Sequence, residues 1–88
     1  MSVSPIPGLS VFIIARDEAD RIGATLQAIE GLASEIVVID SGSMDETVAL
    51  AEAAGARVVV QPWLGYGPQK RVGEDQCAGP WLLNLDAD

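Results

Sequence analysis

The sequence predicts an α/β domain with a parallel sheet and helices on both faces. Three observations carry that prediction. Apolar, β-branched runs alternate with helical segments three times across short connections, which is the pattern of βαβ units. The runs are continuously apolar rather than alternating, as strands covered on both faces must be. Acids gather just past the ends of the runs, whereas Glu35 alone opens one. Ligands of open α/β sheets sit beyond the strand carboxyl ends, so this lopsided charge marks a candidate site.

Residues 1–8, with Pro5 and Pro7, read as an extended leader. Leu9–Ala15 (LSVFIIA) is the first strand. Asp17 then stands where a residue can cap a helix whose Ile22, Leu26 and Ile29 recur at i, i+4 and i+7, with Gly31 as its stop. Glu35–Asp40 (EIVVID) is the second strand. Ser43 and Glu46 have the spacing of a capping box, which places an Ala-rich helix over Asp45–Ala54, ended by Gly55. Arg57–Gln61 is the third strand. A Gly- and Pro-containing loop to Gly67 follows, then a short helix over Pro68–Cys77. Gly79-Pro80 breaks that helix before a fourth strand, Trp81–Leu85. Crossovers between parallel strands are right-handed, which sets the helices on both faces.

Composition narrows the function. The chain is 88 residues long, with Lys+Arg 5 against Asp+Glu 13 and a net charge of −8. That charge repels nucleic-acid backbones and anionic membrane surfaces, so no nucleic-acid partner is expected. A single cysteine, Cys77, excludes an internal disulfide framework, and the absence of histidine excludes His-based metal sites and Ser-His or Cys-His pairs. Cys77 itself reads as a small buried apolar residue near a helix end. No secretory signal or transmembrane segment is expected, because the longest early apolar run is too short for either. The expected location is cytoplasmic.

The sharpest motif is Asp86-x-Asp88 directly after a strand. Two carboxylates so spaced can reach one divalent cation, and hard oxygen ligands suit Mg²⁺ or Mn²⁺. The plain alternative is a pair of solvated acids. Asp40 weighs against it by ending on the same rim. Asp40-Ser41-Gly42-Ser43 joins an acid at a strand end to a Gly turn, where an acid can accept from a nucleobase N–H or ribose hydroxyls. The letters Asp17-Glu18-Ala19-Asp20 invite a helicase reading, which fails for want of any phosphate-binding loop. No G-x-G-x-x-G follows the first strand, which weakens a dinucleotide fold. Lys70 and Arg71 follow a Gly-rich loop and offer either a diphosphate contact or a solvated helix face. Trp63 and Tyr66 read as core or loop packing ahead of a sugar or base platform.

These segments in this order — the first strand with Ala15-Arg16-Asp17-Glu18, Val37-Val-Ile-Asp-Ser-Gly-Ser43 with Asp45-Glu-Thr47, Gly65-Tyr-Gly-Pro-Gln-Lys-Arg71, and the terminal Leu85-Asp-Ala-Asp88 — resemble family 2 glycosyltransferases of the GT-A fold. Bacterial lipopolysaccharide-core enzymes of the β-1,4-glucosyltransferase type are the nearest likeness. The resemblance implies a parallel, Rossmann-like sheet, with residues 9–88 as the nucleotide-sugar-binding half of a GT-A domain. It implies that Ala15 and Glu18 border the nucleotide of a UDP-sugar, that Asp40 contacts the base, that Lys70 is a basic nucleotide contact, and that Asp86 meets the ribose. Asp88 would bind the Mg²⁺ or Mn²⁺ that bridges the diphosphate. The acceptor implied is a lipid-linked glycan, with peripheral association of the longer protein at the inner face of the cytoplasmic membrane. The catalytic carboxylate base is expected beyond residue 88. Ala15-Arg16-Asp17-Glu18 departs from the family's usual aromatic and Asn before the Glu. A non-catalytic nucleotide-binding domain, or an inactive remnant, is the competing reading.

Overall fold

The computed structural model describes residues 6–86. Its elements are β1 (Leu9–Ala15), α1 (Ala19–Ile29), β2 (Glu35–Asp40), α2 (Thr47–Ala53), β3 (Arg57–Val60), α3 (Tyr66–Gln76) and β4 (Trp81–Asp86). The strand order is β3-β2-β1-β4, and every pairing is parallel. The chain steps from β1 outward to β2 and β3, then returns to the other side of β1. The switch point therefore lies between β1 and β4. Of the expected leader, residues 1–5 lie outside the described residues, and Ile6 is tied to Leu32 by a 2.7 Å backbone hydrogen bond.

Apolar residues on alternate sides of the strands make two cores. Val11, Ile13 and Ala15 of β1 and Val38 of β2 pack with Ile22, Leu26 and Ile29 of α1 and Ala51 of α2. Phe12, Val37 and Ile39 face the other way and receive Val72 of α3 and Cys77. The helices thus cover both faces of the central strands β1 and β2, as their continuous apolar runs require. α3 lies very close to β1, because Gly73 offers no side chain where the Phe12 ring sits. On the outer edge of β4, Trp81, Leu82 and Leu83 are exposed.

The strands and the apolar helix faces agree with the sequence reading, but three helix starts do not. Asp17 does not cap α1. It sits at φ +51°, and the amides at the start of α1 are met from the β2–α2 loop instead. The capping box of Ser43 and Glu46 does not form. α2 begins at Thr47, and the Ser43 hydroxyl bonds Asp40. α3 begins at Tyr66, two residues before Pro68, because proline is tolerated in a first turn whose N–H groups have no helical acceptor.

At the amino ends of the strands one carboxylate ties the last crossover down. Glu35 Oε2 accepts from the Ala78 amide at 2.9 Å and the Ser10 hydroxyl at 2.8 Å, and Oε1 pairs with Arg57 at 3.2 Å. These donors, the Ala78 amide foremost, hold the Glu35 carboxyl below its ordinary value of 4.5. A lowered folded pKa contributes stability that is present above 4.5 and lost as pH falls through the folded value. Glu35→Gln should lower stability at neutral pH by about 1–2 kcal/mol. It should also flatten part of the loss in urea midpoint between about pH 5 and pH 3. An unchanged acid-side slope would refute the role given to Glu35.

Candidate functional site

The carboxyl ends of β1, β2 and β3 converge on a cleft of about 290 Å³ lined by Ile14, Ala15, Arg16, Glu18, Ser41 and Trp63. Each strand contributes to it. β1 and the loop after it supply Ile14 through Glu18, the loop after β2 supplies Ser41, and the loop after β3 supplies Trp63. The sheet register sets Asp40 opposite Ala15 and Asp86 opposite Ile14, so the two strand-end aspartates flank β1 on one rim. Asp88 lies outside the described residues.

The acids of this rim divide by function. Asp40 is 1% exposed. Its Oδ2 accepts from the amides of Gly42 at 3.1 Å and Ser43 at 2.8 Å, while Oδ1 accepts from the Ser43 hydroxyl. Gly42 makes this hairpin of donors possible by taking φ +111°. The Ser43 oxygen also accepts from the Asp17 amide at 2.8 Å, and Asp17 Oδ1 accepts from the Met44 amide at 2.7 Å. Asp45 accepts from the Thr47 hydroxyl and amide and, at 3.1 Å, from the Ala19 amide. The Thr47 hydroxyl leads the donors that hold the Asp45 carboxyl below its usual range. The Thr47 oxygen accepts from the Glu18 amide at 2.8 Å. Asp17, Asp40 and Asp45 therefore knit the loops after β1 and β2 into one unit. Asp40 and Asp17 spend their charge on loop amides, and Asp45 spends its charge on the amides that open α1 and α2, where it is favourable.

Glu18 and Arg16 face the cleft with different constraints. Glu18 is partly buried and pairs with Arg21 at 3.4 Å, one turn along α1. Arg16 is exposed and enters no ion pair among the described residues, so it is the cation at the cleft. Lys70 is exposed on the second turn of α3 and does not line the cleft. Trp63 is no core residue: it is 51% exposed and lines the cleft, while its loop packing is an edge-on contact with Tyr66, ring centroids 6.3 Å apart. Arg16 and Ser41 were likewise not marked as site residues by motif. Their signal was position, directly after a strand end. Among the described residues no three acids gather as a metal-holding group. A cation at this rim would depend on the Asp86-x-Asp88 segment, whose carboxylate oxygens are the hard donors that Mg²⁺ and Mn²⁺ take. No described helix is long and apolar enough to cross a membrane.

A parallel sheet with helices on both faces and a cleft at the carboxyl ends of its strands defines a Rossmann-like α/β domain. The chain belongs to glycosyl transferase family 2, whose family model matches residues 10–88. It is 48% identical over 80 residues to an uncharacterized glycosyltransferase of Rickettsia felis, covering 91% of this chain and 28% of that protein. It is 44% identical over 85 residues to the lipopolysaccharide core biosynthesis glycosyltransferase LpsC of Rhizobium meliloti, covering 91% of this chain and 31% of LpsC. Among solved structures, glucosyl-3-phosphoglycerate synthase of Mycobacterium tuberculosis, in complex with Mn²⁺, UDP and glucosyl-3-phosphoglycerate, matches with a TM-score of 0.78 and 30% identity. That match covers 91% of this chain and 33% of the synthase. The same synthase is also solved with Mg²⁺ and UDP. The chain thus spans less than a third of the length of the two curated relatives.

Proposed function

We propose that this chain is the donor-binding half of a glycosyltransferase that moves a sugar from a nucleoside-diphosphate donor, UDP-sugar, to a lipopolysaccharide-core or other cell-envelope glycan. The observation that carries the reading is the cleft itself. It sets an aromatic wall (Trp63) and a cation that enters no ion pair among the described residues (Arg16) at the strand carboxyl ends of a family 2 sheet, beside Ser41, whose chain neighbour Asp40 is a buried acid. The likeness to LpsC supports the envelope acceptor, and the likeness to a synthase solved with UDP supports the donor.

In this reading the uracil enters the cleft beside Trp63, bordered by Ala15 and Glu18. Asp40 has about four lone-pair positions and three donors in place, so one position on Oδ1 is left for a base N–H. Asp86 would meet the ribose, Lys70 would reach the diphosphate from α3, and Asp88 would hold Mg²⁺ or Mn²⁺. Held there, such a cation would neutralise charge on the diphosphate leaving group. The transfer breaks the bond between the anomeric carbon and the diphosphate oxygen and forms one to an acceptor hydroxyl. The hydroxyl proton passes to the base expected beyond residue 88.

Charge makes the reading testable. A chain at −8 repels a nucleoside diphosphate, by about 4 kcal/mol per pair of like charges at ~4 Å in an effective dielectric of ~20. Calorimetric titration of UDP should therefore give tight binding with Mn²⁺ or Mg²⁺ and at least about tenfold weaker binding in EDTA. Asp88→Asn should remove the metal-dependent part alone. Equal affinity in Mn²⁺ and EDTA would remove the cation from the reading.

A further inference from the structure

We propose that Gln69 is a positioning residue that holds Trp63 as the aromatic wall of the cleft. Gln69 is 0% exposed on α3, on the face turned toward the sheet. An apolar side chain is the default at such a place, because a buried amide costs stability unless its donor and acceptor are both satisfied. Both are satisfied by one loop. Nε2 donates to the Gln61 carbonyl at 2.8 Å, and Oε1 accepts from the Leu64 amide at 3.1 Å. The partners fix the amide's orientation, since a carbonyl can only accept and an amide N–H can only donate.

The two bonds fall on either side of Pro62 and Trp63. The Gln61 amide is anchored in turn to the Asp40 carbonyl at 2.8 Å, which continues the sheet by one step. Gly65 turns the chain into α3 at φ +101°, and its carbonyl accepts from the Gln69 amide. The loop backbone is thus pinned on both sides of a tryptophan that is itself 51% exposed. A half-exposed ring contributes little packing to hold its own place, so its position at the cleft is inherited from the backbone. The Tyr66 edge contact sets the ring angle from the same helix turn.

The proposal rests on the nucleotide reading for what the wall is for, and its test separates the two. Trp81→Phe leaves Trp63 as the one tryptophan, since the chain has 2. In that background Gln69→Leu keeps the buried volume and removes both bonds. It should abolish the near-UV circular-dichroism band of Trp63 and raise its acrylamide quenching, with far-UV signal retained. Gln69→Glu keeps an acceptor for the Leu64 amide and should lose part of the band. UDP affinity should fall about tenfold in Gln69→Leu and in Trp63→Ala, the scale of one base-stacking contact. The double variant should be no weaker than Trp63→Ala alone, because both changes remove the same wall.

A Trp63 band unchanged in Gln69→Leu overturns the proposal, as does an additive loss of affinity in the double variant. If Gln69→Leu does not fold, Gln69→Glu decides: a diminished band supports the positioning role and an unchanged one overturns it. If the Trp81→Phe parent does not bind UDP with Mn²⁺, the nucleotide reading fails. The Trp63 band then still decides the role of Gln69.

Discussion

Gly73→Ala should be among the most destabilising single-methyl changes in this chain. A Cβ at Gly73 falls 2.3 Å from Phe12 Cδ2 and 2.7 Å from Cε2, and Phe12 is 1% exposed and has no room to retreat. α3 must lift off β1 by more than an ångström, which also loosens Val72 and Cys77 from the same core. Overpacking of this kind costs about 3 kcal/mol, against a helix-propensity gain of about 1 kcal/mol for replacing glycine by alanine. Packing wins, and the net loss of about 2 kcal/mol is a large fraction of what so small a domain has. Gly23 supplies the matched control: it is exposed within α1 with nothing within 4 Å of a built Cβ. Gly23→Ala should gain about 1 kcal/mol, propensity acting alone. Urea denaturation at constant slope checks both. A Gly73→Ala midpoint at or above that of the parent would show that α3 does not seat on Phe12 as described.

The contrast between those glycines shows what a sequence can and cannot reveal. Both stand in helices, and only the packing of α3 on β1 tells them apart. The central strands β1 and β2 were legible because burial on both faces leaves a continuous apolar run that few other structures need, whereas β3 and β4 are apolar runs at the sheet edges that stay partly exposed. The inward face of α1 was legible for the same reason, and Ile22, Leu26 and Ile29 are all buried. Helix starts were not legible, because their donors are satisfied across loops. Thr47 and Asp45 cap α1 from 26 to 29 residues away, and no local motif records that. The candidate site was half legible. Clustering of acids past the strands located the rim, and family resemblance named residues on it. What the acids do was hidden, since Asp17 and Asp45 are bound to amides and serve the loops. Trp63 reads as packing before platform, and Gln69 was hidden, for a related reason. An aromatic in a loop and a glutamine in a helix acquire their roles only when α3 folds back under the loop.

Asp40 should separate a loop-building role from a nucleotide-binding one. Asp40→Ala orphans the Gly42 amide, the Ser43 amide and the Ser43 hydroxyl at once. Losing a charged acceptor shared by three donors should cost about 3 kcal/mol and abolish UDP binding with or without metal. That variant alone tests only whether the loop is needed. Asp40→Asn tests the chemistry. Its amide oxygen can take the Oδ2 place and keep both backbone amides, while its NH₂ takes the Oδ1 place and donates to the Ser43 oxygen. That oxygen has a second lone pair beside the one the Asp17 amide uses. The loop should therefore survive with a loss of about 1 kcal/mol, seen as a small shift in thermal midpoint. The lone pair on Oδ1 that a base N–H would use, however, becomes an N–H. Donor then meets donor, and UDP affinity should fall by at least about tenfold although the fold is intact. A well-folded Asp40→Asn that binds UDP as tightly as the parent would confine Asp40 to shaping the loop. Recognition of the base would then fall to Trp63 and the backbone around Ala15 and Ser41.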